Sequence, residues 1–109
     1  MSARSDTHWQ GKAAVVTGGA RGQGACVARL LVQAGATVHV MDALPVDDAA
    51  WSKLQSSVAG LPGRLRPVHA DVADEAAWSG LAAQIAHDGL PLQGLVNNAR
   101  ITGPRAPVT

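Results

Sequence analysis

Short apolar runs closed by glycine, aspartate or asparagine alternate along the chain with longer stretches in which apolar residues recur every three or four positions. The first run, AAVVTG at 13–18, is β-branched at its centre and stopped by glycine, the pattern of a buried strand. In ACVARLLVQAG, at 25–35, Val27, Leu30, Leu31 and Ala34 fall at the i, i+3, i+4, i+7 spacing of one helix face. Gly35 is placed to end that helix in the left-handed conformation. ATVHVMD, at 36–42, alternates Val38 and Val40 with Thr37 and His39 and predicts a second strand. A second helix is predicted over 47–60, with Trp51, Leu54 and Val58 on one side and Asp47 and Asp48 at its dipole-positive end. Leu65 to Ala70 predict a third strand, and Pro67, which has no N–H to donate, argues for a sheet edge. A third helix over 73–89 carries Trp78, Leu81, Ala82 and Ile85 at helical spacing, and LQGLVNNA, at 92–99, closes the series as a fourth strand.

This β-α-β-α-β-α-β order predicts an α/β fold with a doubly wound parallel sheet and right-handed crossovers, in one domain over residues 1–109. Hydrophobic residues make up 47% of the chain, enough for a buried core, but only 3% of it is aromatic, so Val, Leu, Ile and Ala must build that core. The three Trp read as core or helix-packing residues. The formal net charge is +1, with Arg and Asp interspersed and no basic stripe, which argues against nucleic acid as a partner. The single cysteine excludes an intramolecular disulfide and fits a reducing compartment. With no apolar leader segment at the N-terminus, and no run of about 18 apolar residues to cross a membrane, the expected location is the cytoplasm. His8, His39, His69 and His87 are scattered without metal-ligand spacing; His39 and His69 read as strand residues and His87 as a helix-surface residue. Cys26, near the start of the first helix, reads as a buried packing residue rather than an activated thiol.

The strongest chemical signal is TGGARGQG, at 17–24, between the first strand and the first helix. A pyrophosphate needs bare backbone N–H groups at a helix N-terminus. In that reading Gly18 permits a tight turn, Gly22 lets the backbone approach the phosphates, and Gly24 lets the helix sit close to the strand. The glycines alone fit an ordinary turn equally well. Asp42 changes the balance: it ends the second strand, 18 residues after Gly24, where a carboxylate can bond both ribose hydroxyls of an adenosine. It would also repel a 2′-phosphate, which favours NAD over NADP. Arg21 pulls the other way, since a cation beside the loop can reach a 2′-phosphate, but Asp42 excludes that group by both charge and volume.

These residues resemble the TGxxxGxG signature of the short-chain dehydrogenase/reductase family. Asp71 and Val72, in ADV, resemble its Asp-Val pair after the third strand, where the Asp holds the adenine amino group and the next residue lines the adenine pocket. Asn97, Asn98 and Ala99 resemble its NNAG motif, which supports the central sheet and borders the cofactor ribose. The resemblance runs from about Trp9 to Ile101 and implies a Rossmann-type NAD(P) site at Gly18, Arg21, Gly22, Gln23, Gly24, Asp42, Asp71, Val72, Asn97, Asn98 and Ala99. Two positions depart from it. Arg100 stands where the family has glycine, near the nicotinamide end, and Gln23 replaces an apolar residue at a position where the backbone N–H makes the contact.

The resemblance also implies what this sequence does not contain. The family's proton donor is a tyrosine in a YxxxK motif, assisted by a serine and an asparagine, and no tyrosine occurs here. Lys12 and Lys53 fall on the wrong elements to replace that motif's lysine, so no catalytic residue is assigned. The chain therefore reads as the N-terminal, cofactor-binding half of an oxidoreductase whose full-length relatives are homo-oligomers. The alternative is a non-catalytic dinucleotide-binding module. A truncated sheet of order 3-2-1-4 would leave the fourth strand as an apolar edge open to aggregation or to pairing with another chain.

Overall fold

The computed structural model describes residues 9–98. Among them the elements follow the predicted order: β1 (Ala13–Thr17), α1 (Gly22–Gln33), β2 (Thr37–Asp42), α2 (Ala49–Val58), β3 (Arg64–His69), α3 (Glu75–Asp88) and β4 (Leu92–Asn97). The sheet is parallel throughout, in the order β3-β2-β1-β4. Every residue of β1 is buried, because a central strand of a parallel sheet is covered on both faces. Among the described residues β3 pairs only with β2, so Pro67 sits on an edge, where its missing N–H breaks no ladder.

The period of two along the strands divides the core. Val16, Val38, Val40 and Leu65 face α1 and α2, whose Ala28, Val32, Trp51, Leu54 and Val58 complete the larger cluster. Val15 and Met41 face the other way and meet Leu81 of α3, with Trp78 and Ile85 partly buried beside it. Helices thus lie on both faces of the sheet, the doubly wound arrangement expected from the element order. The first-helix expectation needs two corrections. α1 begins at Gly22, so the last two glycines of the motif belong to its first turn. Its buried seam is Gly24, Ala28 and Val32, whereas Leu30, placed in the core by spacing, is 57% exposed. The reason is steric: α1 lies so close to the sheet that its seam runs through Gly24, Ala28 and Val32, while Val27 and Leu31 pack at the margin of the cluster and Leu30 turns outward. In α3, Ala82 is likewise exposed and Ala77 packs inward instead.

The helix ends are set locally. Asp48 caps α2 by accepting from Ala50 N at 2.9 Å, and Asp74 caps α3 by accepting from Ala76 N at 3.0 Å. Gly35 follows α1 with a φ of +102°, the left-handed termination its position predicts. β4 pairs only with β1 among the described residues, and its Leu92 and Leu95 are 51% and 57% exposed, so the expected open apolar edge is present.

One buried polar group works against stability. His39, in the middle of β2, is 1% exposed, and its Nε2 has no hydrogen-bond partner among the described residues. It lies opposite Arg66 of β3, and Arg66 contacts Asp88 at 3.8 Å. Burial, and then the Arg66 charge, hold the imidazole pKa below 6.5, with Asp88 opposing them. The folded chain therefore binds fewer protons than the unfolded chain, and stability falls as the pH drops below 6.5 and through the folded-state value. Thermal melts followed by circular dichroism between about pH 8 and about pH 5 are expected to show a declining midpoint on the acid side. His39→Leu, which removes the orphaned nitrogen, should flatten that decline; an unchanged pH profile in the variant would place the titration elsewhere.

Candidate functional site

The loops that leave the carboxyl ends of the strands enclose a cleft of about 630 Å³ at the point where the sheet order turns from β2 to β4 across β1. Such a crevice is where open α/β sheets bind ligands. Gly18 and Arg21 line it from the first loop, Gly22 and Gln23 from the first turn of α1, Asp42 and Ala43 from the end of β2, Asp71 and Val72 from the loop after β3, and Asn98 from just past β4. Residues far apart in sequence are thus gathered on one cavity. Gly24 and Asn97 do not line it but build its wall. Ala99 and Arg100 lie outside the described residues.

The wall is built by close approach. A Cβ on Gly24 would stand 2.3 Å from Gly18 O, 2.8 Å from Gly19 Cα and 2.9 Å from Asn98 Nδ2. Only glycine allows the first turn of α1 to rest against both the β1 exit and the β4 end. Gly22, just after the N-cap residue Arg21, has a φ of +64°, a conformation that side-chain-bearing residues rarely adopt. No side chain caps α1 and no acid lies in its first turn, whereas Asp48 and Asp74 cap the other two helices. The positive end of α1 therefore opens on the mouth of the cleft with no capping side chain and no acid of its own first turn.

The buried hydroxyl of Thr17 ties the two strand ends together. Its Oγ1 donates to Asn97 Oδ1 at 2.9 Å and accepts from Asn98 N at 3.0 Å. Asn98 Nδ2 in turn donates to Gly18 O at 3.1 Å. The two asparagines thus have distinct tasks: Asn97 anchors β4 to β1, while Asn98 holds the glycine turn and reaches the cleft.

Asp42 is already engaged within the chain. Its Oδ2 accepts from Ala20 N and its Oδ1 from Leu44 N, each at 3.0 Å. A carboxylate offers about four acceptor positions, so each oxygen keeps one. The aspartate thereby links the glycine loop to the end of β2 and is held in place for any further bond. Asp71 accepts from Ala73 N at 2.9 Å through Oδ1, and its Oδ2 has no partner among the described residues. Two indoles brace these loops from behind: Trp51 Nε1 donates to Leu44 O at 3.0 Å, and Trp78 Nε1 donates to Val72 O at 2.7 Å. Sequence reasoning treated both tryptophans as packing residues and passed over Thr17 and Ala43. The available signal was the need of a buried indole N–H for a partner, and each Trp follows an aspartate that lies at a strand end or two residues past it.

Cys26, expected to be buried, is exposed, because the core seam of α1 passes through its neighbours at 24 and 28. Lys12 and Lys53 do not line the cleft. Among the described residues, no group of three His, Cys, Asp or Glu is placed to hold a metal ion, and no helix is long and apolar enough to cross a membrane.

The sequence and fold have relatives. Residues 12–108 match the family model described as short chain dehydrogenase. The 3-beta-hydroxysteroid dehydrogenase of Comamonas testosteroni is 41% identical over 87% of this chain, which spans 35% of that protein. Carveol dehydrogenase from Mycobacterium avium, solved in complex with NAD, superposes with a TM-score of 0.70 at 29% identity, over 84% of this chain and 36% of that one. A short chain dehydrogenase from Burkholderia cenocepacia, solved in complex with NADP, gives 0.69 at 34% identity, over 85% and 37%. This chain thus spans about a third of the length of each. By its family match, its sheet order and its glycine loop, the chain belongs to the short chain dehydrogenase family.

Proposed function

We propose that this chain supplies the dinucleotide-holding part of an oxidoreductase that moves hydride between a nicotinamide cofactor and an alcohol or carbonyl substrate. The observation that carries this reading is the convergence of the glycine loop, Asp42, Asp71 and Val72, and Asn98 on one cleft. The fit is chemical as well as positional. The uncapped start of α1 offers backbone N–H groups and the positive dipole end to a pyrophosphate, and Gly22 leaves the approach clear, since a Cβ there would meet nothing within 4 Å. The free acceptor positions of Asp42 suit ribose hydroxyls, and the unpartnered Oδ2 of Asp71 suits the adenine amino group, with Val72 along the ring. The bound cofactor would supply or accept the hydride; the residues described here bind and orient it.

NAD is proposed over NADP. The relatives include complexes with either cofactor, so the choice rests on the cleft's own charges. Asp42 is held at the end of β2 by two N–H bonds and would meet a 2′-phosphate with like charge. Arg21 is the opposing influence, but it is exposed and caps nothing with its side chain. The open edge of β4 is proposed as the line along which the remainder of a complete dehydrogenase, or a second chain, continues the sheet.

Titration calorimetry of the chain with NAD tests the assignment. Asp42→Ala is expected to weaken NAD binding by about tenfold or more, through the lost ribose bonds and the loosened loop. Asp42→Asn keeps an acceptor but removes the charge, and should narrow the preference for NAD over NADP. Tighter binding of NADP than NAD by the parent chain, or an unaltered Asp42→Ala isotherm, would refute the cofactor assignment. A second expectation concerns chemistry. With no tyrosine in its 109 residues, the chain alone should bind cofactor without reducing it in the presence of simple secondary alcohols, read as absorbance of the reduced nicotinamide. Reduction above the buffer rate would overturn that expectation and point to a proton-transfer group other than tyrosine.

A further inference from the structure

Behind the glycine loop, α1 and α2 flank a second cavity of about 580 Å³, which shares only Arg21 and Gly22 with the dinucleotide cleft. Its walls are short and apolar: Ala25 from α1 faces Ala49 and Ala50 from α2, and the buried Leu54 lies at its base. Alanine methyls are too short to close the space between the two helices, so a groove remains. Its rim is cationic, with Arg21 and Arg29 on one side and Lys53 on the other. Among the described residues no acid lines it, and the one ion pair is Arg66 with Asp88, at a different place in the fold. The net charge of the chain is only +1, so this grouping is not a property of a generally basic surface.

An apolar trough with an unneutralised cationic rim selects a ligand with both an apolar body and an anionic head. Arg21 and Arg29 are eight positions apart, about 12 Å along a helix axis, and a cavity of this size suits a small molecule rather than a protein surface. The planar guanidinium of Arg29 matches a carboxylate in geometry, and Lys53 adds a second charge from across the groove. We propose that the α1–α2 groove binds an amphipathic carboxylate of the fatty-acid type, its hydrocarbon chain along the alanine walls and its headgroup between Arg29 and Lys53. This site is distinct from the dinucleotide cleft and does not rest on the function proposed for it.

Cys26 provides a local readout, because it is the single cysteine of the sequence, is exposed, lines the groove and does not line the cleft. The full chain is titrated with decanoate while alkylation of Cys26 by iodoacetamide is followed by intact-protein mass spectrometry. Decanoate is expected to protect Cys26 saturably. Decanol, inorganic phosphate and decyltrimethylammonium at equal concentration are expected not to, since each lacks the head, the chain or the correct charge. Arg29→Glu with Lys53→Glu should weaken protection by about tenfold. Both side chains are exposed, so the circular dichroism melt should be unchanged. If the double variant melts early, Lys53→Gln alone is read, with a smaller loss in the same direction. Absence of saturable protection, equal protection by decanol or the cationic amphiphile, or protection insensitive to the folded charge variants would each overturn the proposal.

Discussion

The contact on which the rest of the structure depends is the one at Gly24, where the first turn of α1 rests directly on the turn leaving β1 and on Asn98 beyond β4. A single added Cβ would stand 2.3 Å from a carbonyl oxygen that cannot move without breaking the β1 exit. Because that approach is so close, the seam of α1 continues with Ala28 and Val32, and larger residues such as Leu30 are turned to solvent. The same approach aims the uncapped start of α1 into the cleft.

Around that contact the cleft is braced by a repeated device. At the end of a strand or just past it, an aspartate accepts from a backbone N–H of its own loop, and a tryptophan on the following helix donates to a carbonyl of the same loop. Asp42 with Trp51 does this after β2, and Asp71 with Trp78 does it after β3. Asp42 adds a bond to Ala20 of the glycine loop, so one carboxylate fixes two walls. Thr17 and the two asparagines close the remaining side. A site that must order a flexible ligand benefits from groups already immobilised, since the entropy of fixing them is lost at folding rather than at binding.

The two faces of the sheet are filled unequally. The side of α1 and α2 holds the larger cluster, including two well-buried residues of α2 beyond its tryptophan. The side of α3 holds three buried residues, and an imidazole with an unbonded nitrogen lies on that face. Exposed leucines on β4 lie at the open edge. The isolated chain is therefore least secure where only α3 covers it among the described residues, and that is also where pH acts on it.

The order of elements, the edge position of Pro67, the acid at the start of α2, the termination at Gly35 and most of the cleft residues were legible in the sequence. Each is written in local spacing: alternation for a strand, a recurring apolar face for a helix, glycines before a helix start, an acid at a strand end. The buried seam of α1, the exposure of Cys26, the bracing tryptophans and the Thr17 junction were not. Hydrophobic spacing ranks leucine above glycine and alanine, yet a close helix-to-sheet contact selects the small residues. Hydrogen bonds such as Thr17 to Asn97 join residues 80 positions apart, at a distance no local pattern encodes. The sequence by itself determined which elements form and in what order, because backbone conformation responds to near neighbours. Only the tertiary structure decided which face is buried and which polar groups meet, because those depend on how closely distant parts of the chain can pack.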